Sequence, residues 1–229
     1  MTLDLIFLQA AVNLPDAVAQ EPTTLKDILM DQLATGWYIY VPQIAMSIFS
    51  VYIFFDRMLA VNKALKEESN FMAQIKQYIL EGKLDMAKSI CARSSTPGGR
   101  MLEKGINRIG KNMSDVKAAI ENVGKVEISN LERNVSFLAT TAGAAPMLGF
   151  LGTVIGMVGV FHSIQLNGPD LQSMGGDMML AMITTVVGLI VGIIAYIAYN
   201  TIVARIGKVI SKMESQAIEF IDILEQPAS

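Results

Sequence analysis

Charge is what this sequence has least of: Asp, Glu, Lys and Arg make up 17% of its 229 residues, against about 25% in an average globular protein. The shortage is concentrated in three places. No such residue occurs between Asp31 and Asp56, between Arg133 and Asp170, or between Asp177 and Arg205, gaps of 24, 36 and 27 residues. At about 1.5 Å per residue, a helix over each gap outruns the roughly 30 Å hydrocarbon core of a bilayer. A soluble fold is thereby excluded. The gaps predict an all-α membrane protein with three transmembrane helices, at residues 34–55, 134–164 and 178–204.

The other absences remove chemistry. Cys91 is the sole cysteine, which excludes a disulfide framework and any CxxC metal or redox motif. Neither GxxxxGK[ST] nor HExxH occurs, so no nucleotide, metal or other cofactor is expected and the chain does not read as an enzyme. A net charge of −3, with no basic block interleaved with aromatics, argues against a nucleic-acid partner. The interiors of the spans hold no Asp, Glu, Lys, Arg or His, since His162 falls near the outer end of the second. A chain that moved protons by itself would carry a titratable group near the midplane. This one moves none, or a partner brings that group.

What is present sets the orientation. Fourteen of the 18 Lys and Arg residues lie between Arg57 and Arg133, none lies between the second and third spans, and Arg205, Lys208 and Lys212 follow the third. The positive-inside rule then puts residues 56–133 and the 205–229 tail in the cytoplasm, with the 165–177 loop and the N-terminus outside. Residues 1–33 open with LIFLQAAV and reach AVAQ, which invites a signal-peptide reading. The early region has no Lys or Arg and holds Asp4, so an uncleaved amphipathic segment on the outer surface is expected instead, with a new helix start at Thr23 or Thr24 after Pro22. Trp37, Tyr38, Tyr40 and Tyr52 anchor the two ends of the first span, and Pro42 predicts a kink in it.

The cytoplasmic segment reads as helical pieces interrupted at Glu81–Gly82 and at the STPGG run, 95–99. Ser114 is the expected cap of a helix of roughly 50 residues that continues unbroken into the second span. In the tail, Ile206, Ile210, Met213, Ala217, Phe220 and Leu224 recur at spacings of 4, 3, 4, 3 and 4, a helix-packing seam.

Small residues mark the spans. Ala145, Gly149, Gly152, Gly156 and Gly159 form one stripe along the second, and Gly188 and Gly192 a small-xxx-small pair in the third. Such stripes let backbones approach within lipid. With only three spans per chain, they are expected to form the interface of a homo-oligomer. Hydroxyls lie beside the stripe at Thr140, Thr141 and Thr153, and in the third span at Thr184 and Thr185. A membrane threonine ordinarily bonds back to its own helix. Thr153, flanked by Gly149 and Gly156, is expected to face another helix or a cavity.

Two runs, LERNVSFLATTAGAAPMLGFLGTVIGM at 131–157 and ITTVVGLIVGIIAYIAYN at 183–200, strongly resemble the ExbB, TolQ and MotA proton-channel family, and its ExbB and TolQ branch most. The resemblance covers about residues 34–215. It implies a pentamer in the bacterial inner membrane, periplasmic at the N-terminus and cytoplasmic at the C-terminus, whose second and third spans line a central pore. In that pore would sit single-span partners resembling ExbD or TolR, each with an essential aspartate, and proton passage would drive a motor acting on TonB or TolA. Pentamers of this kind use the proton motive force for TonB-dependent outer-membrane transport, or, in the TolQ branch, for envelope integrity. Related motors also use Na⁺, and a non-conducting structural oligomer is the bland alternative. Carried over by motif, the pore and proton-pathway positions are Thr153 and Thr185, with Thr141, Thr184, Pro146 and Asn200 beside them. Two positions depart from the family: Leu180 stands where many members have a glutamate, and Ile194 replaces a third-span proline.

Overall fold

The computed structural model describes residues 36–66, 70–169 and 171–225. The amphipathic segment expected over residues 1–33 lies outside them. The described residues form seven helices: α1 (Trp37–Leu65), α2 (Phe71–Leu80), α3 (Leu84–Ser94), α4 (Pro97–Ile106), α5 (Met113–Glu132), α6 (Val135–Asn167) and α7 (Leu171–Glu225). Three stretches, in α1, in α5–α6 and in α7, are long and apolar enough to cross a membrane. Their outer faces carry large apolar side chains in the open, among them Ile48, Met147, Phe150, Met182 and Ile193. That arrangement would be costly in water and is ordinary in lipid.

α7 is one helix of 55 residues, about 80 Å long. Its first half packs on α6 and α1, and its second half enters a bundle formed with α2–α5 and the end of α1. The whole predicted seam from Ile206 to Leu224 packs in the bundle's core, with Ile206, Met213 and Phe220 fully buried beside Ile75, Leu102 and Ile120. Polar ties lock the end of α1 into place. Buried Arg57 pairs with Asp56 and donates to the Asn130 carbonyl at 3.1 Å, Arg205 donates to Asn62, and Lys212 donates to the Leu65 carbonyl at 3.3 Å. Arg100 holds the buried Glu127 carboxylate through two N–H groups, joining α4 to α5.

Four local expectations are corrected. The STPGG run is a break for only two residues: Ser95 turns left-handed (φ 49), the Thr96 hydroxyl then accepts from the Gly99 N–H at 3.2 Å, and Pro97 begins α4. Proline suits the first helical position because that N–H has no partner to lose. Gly98 and Gly99 are helical in α4 and closely packed: a Cβ at the first would run into the Gln216 side-chain amide and one at the second would lie 3.0 Å from the Cys91 carbonyl oxygen. Ser114 is not a cap, since α5 begins at Met113 after Asn112. The long helix into the second span is interrupted at Arg133–Asn134, where Asn134 adopts φ 63. Asparagine is among the few residues that enter the left-handed region readily. Finally, the reversal between α6 and α7 is shorter than the expected loop, residues 165–177. Gly168 (φ 75) and Pro169 supply the turn chemistry, and Gly175 and Gly176 ride within α7 with nothing within 4 Å of their Cβ positions.

The small-residue stripe packs on α7 of the same chain. A Cβ on Gly149 would meet the Thr185 backbone at 3.0 Å, one on Gly152 the Thr184 hydroxyl at 2.3 Å, and one on Gly156 the Ala181 Cβ at 2.7 Å. From the other side, a Cβ on Gly188 would meet the Ala145 carbonyl oxygen at 2.6 Å, and one on Gly192 the Pro146 ring at 2.6 Å. Gly159 lies against the Asp177 carboxylate. Apolar burial alone gives helices no reason to pair in lipid, so this close approach supplies the dispersion contacts that hold α6 to α7.

Gly156→Ala should therefore destabilise the pair despite alanine's better helix propensity, by about 1–3 kcal/mol for overpacking. Gly143→Ala, on the open face of α6 where nothing lies within 4 Å, should be neutral or stabilising by up to about 1 kcal/mol. Thermal unfolding in detergent distinguishes the two, and an unchanged midpoint for Gly156→Ala would show that the stripe is not close-packed.

Candidate functional site: a polar seam among the membrane helices

Few polar side chains are available inside the three apolar helices, and the fold gathers several of them along the α6–α7 contact. Thr185 Oγ1 donates to the Gly149 carbonyl at 3.0 Å, across the helix pair, and to Ala181 O of its own helix at 3.2 Å. Gly149 O is also the ladder acceptor for the Thr153 N–H four residues on. Thr153 and Thr185 thus adjoin the same turn of α6. Both are half-buried. The Thr153 hydroxyl does not reach across to another helix as its flanking glycines suggested. It bonds back to the Phe150 carbonyl at 2.6 Å.

Thr184 is fully buried, wedged over Gly152, and its hydroxyl goes to Leu180 O at 3.0 Å and Ala181 O at 2.9 Å. Thr141, also fully buried, accepts from the Ser50 hydroxyl at 2.9 Å and donates to Phe137 O at 3.0 Å, so it links α6 to α1. Thr140 is exposed and bonded to Ser136 O. Pro146 seats its ring on Gly192. Having no N–H, it leaves the Ala142 carbonyl without its helical donor, and that oxygen also borders Gly192. Asn200 is exposed on α7, bonded to Tyr196 O. Thr153, Thr185 and Pro146 are therefore gathered around the α6–α7 contact, whereas Asn200 lies apart from it.

Sequence reading missed Gln43. It is the only Gln, Asn or charged residue of the first span, and its side chain is completely buried, with neither amide atom hydrogen-bonded among the described residues. Its Nε2 lies 3.0 Å from where a Gly188 Cβ would stand, so α1 delivers an amide to the α6–α7 contact. Tyr40, one turn earlier on the same face, has a buried hydroxyl in the same condition. The signal was available: an amide in an otherwise apolar run is costly in lipid and rarely incidental. Asp177 is a second omission. It lies over Gly159 at the end of the pair next to the α6–α7 turn, with the Ser163 hydroxyl 3.4 Å from its Oδ2.

The chain resembles an ExbB homolog of biopolymer transport from Methanothermobacter thermautotrophicus at 35% identity over 133 residues, 58% of this chain and 47% of that protein. It is 34% identical to the Tol-Pal system protein TolQ of Haemophilus influenzae over 103 residues, 44% of this chain and 45% of that one. To the biopolymer transport protein ExbB of Xanthomonas campestris it is 32% identical over 108 residues, 47% and 43% of the two chains. The matched stretch spans about half the length of these relatives. Residues 93–215, which hold the end of α3, α4–α6 and most of α7, match the MotA/TolQ/ExbB proton channel family. The α6–α7 contact lies inside that range and α1 before it; with three helices apolar enough to cross a bilayer, the chain is a membrane protein and belongs to the MotA/TolQ/ExbB proton channel family.

Proposed function

We propose that this chain is the channel-forming stator subunit of an ExbB-type motor in the bacterial inner membrane, which uses the proton motive force to drive TonB-dependent outer-membrane transport. The observation that carries this reading is the seam's composition. Its one carboxylate, Asp177, sits at the Gly159 end; the rest offers hydroxyls, an amide and a free carbonyl, and none of the threonines or the glutamine can exchange a proton near neutral pH. A proton path through it needs a titratable group from elsewhere, and a single-span partner of the ExbD or TolR kind, carrying an aspartate, supplies one. Because relatives of comparable identity are named both ExbB and TolQ, a TolQ-type role acting on TolA for envelope integrity is the second reading.

In this account copies of the chain form a homo-oligomer, a pentamer by analogy with the family, around a pore lined by α6 and α7. The glycine stripe is occupied within the chain, so the contacts between copies fall to the large exposed side chains such as Met147, Phe150, Val158 and Val186. The hydroxyl protons of Thr153 and Thr185 are already committed to backbone carbonyls. Their oxygens remain free to accept, from water or from the protonated form of the partner's carboxyl. Acceptors favour that neutral form. An aspartate passing the seam would then be held protonated there and released on leaving it. A proton crossing about 150 mV carries roughly 3.5 kcal/mol, scaling from about 2.3 kcal/mol per 100 mV, which suffices to reverse a two-state packing preference.

Two experiments test this. Thr185→Val keeps the side-chain shape and removes the hydroxyl. Assembly should persist, because a hydrogen bond between membrane helices averages about 0.6 kcal/mol, while partner-dependent proton flux should fall sharply. Thr184→Val, whose hydroxyl only bonds back to its own turn, should be milder. Full flux in Thr185→Val with loss in Thr184→Val would shift the assignment by one residue. For topology, the charge distribution puts the Gly168–Pro169 turn outside. Pro169→Cys should react with a membrane-impermeant thiol reagent in outer-membrane-permeabilised cells, and Glu214→Cys, exposed on the far half of α7, should not. Native Cys91 is fully buried and serves as a silent background, not as a reporter. Labelling at 214 and not at 169 would invert the orientation.

A further inference from the structure

A groove of about 360 Å³ lies between α1 and α7 in the half of the membrane next to the helical bundle. This is within the range of about 300–1,000 Å³ typical of small-ligand sites. Ser47, Ser50 and Phe54 line it from α1, and Val191, Ala198 and Thr201 from α7. Two of its three hydroxyl groups are engaged, Ser50 with Thr141 and Thr201 with the Ile197 carbonyl at 2.7 Å. The wall presented to an occupant is therefore almost wholly apolar.

The charge at one end is not. On α7, Ile194, Ala198, Thr201, Arg205 and Lys208 are spaced 4, 3, 4 and 3 apart and share one helix face. Arg205 and Lys208 lie about 6 and 10 Å beyond Thr201 along the axis. Arg205 donates from Nη1 to Asn62 and keeps further N–H donors. Lys208 is exposed, with no ion pair among the described residues. Asp56, the acid next to the groove's α1 wall, is neutralised by Arg57.

We propose that this groove holds an acyl chain of an anionic phospholipid from the leaflet on the Arg205 side, with its phosphate met by Arg205 and Lys208. A thin apolar chain entering from the bilayer fits a narrow slot, whereas a helix of a second copy, about 10 Å across with its side chains, would cover the groove without filling it. The paired cations at the headgroup end select negative charge. Such a lipid would stiffen the α1–α7 contact where the membrane and bundle parts of the protein meet. The proposal depends on α1 and α7 lying in the membrane and not on proton conduction.

The full chain, purified in detergent and offered equal phosphatidylglycerol and phosphatidylcholine, should retain phosphatidylglycerol preferentially in native mass spectrometry. Lys208→Gln, at an exposed position, should cut that preference about fivefold. Ala198→Trp, which fills the slot, should lose retained lipid of both kinds. Equal retention of the two lipids by the unmodified chain overturns the proposal, as does phosphatidylglycerol binding undiminished by Lys208→Gln. Retention of neither lipid also overturns it and leaves the groove to a second copy of the chain.

Discussion

Everything the membrane part of this protein can do depends on two backbones being able to touch. In lipid, an apolar side chain gains nothing by leaving the hydrocarbon for another helix, so close approach has to come from the absence of side chains. Gly149, Gly152 and Gly156 on α6 and Gly188 and Gly192 on α7 provide that absence, and each faces backbone or a small or ring-shaped neighbour that a Cβ would strike. The Thr185 hydroxyl reaches the Gly149 carbonyl because nothing projects between them, and Gln43 fits against α7 because residue 188 has no side chain. The polar seam is thus a consequence of the glycine contact.

The same contact divides the work between the two long helices. α7 continues without interruption from Thr185 to Phe220 in the core of the bundle, so a displacement at the seam is carried along a single rod. α6 is separated from α5 by a left-handed residue, Asn134, which breaks the helical ladder between them.

Much of this was legible beforehand because lipid imposes simple demands. The three charge gaps locate the apolar helices, and the 3–4 spacing from Ile206 to Leu224 locates the face of α7 that the bundle buries. Partner choice was not legible. A glycine stripe says that some backbone comes close but not whose, and the structure supplies α7 of the same chain. Turn residues were similarly ambiguous: Pro97 reads as a breaker in isolation and serves as a helix start once Thr96 caps it. Gln43 belongs to no periodic pattern and has no small-residue stripe on its own helix to mark it, although the cost of an amide in lipid already implies that it is buried against another helix. Thr153 shows the opposite failure, where a residue on the expected face simply bonds to its own helix.

The central claim is that the seam conducts only when another chain brings the acid. Proton uptake into vesicles under an imposed membrane potential measures this directly, with this chain reconstituted alone and then together with an ExbD- or TolR-like partner. The account predicts no uptake above that of empty vesicles for the chain alone, and uptake with the partner that disappears when the partner's membrane aspartate is replaced by asparagine. Equal uptake with and without the partner would contradict it.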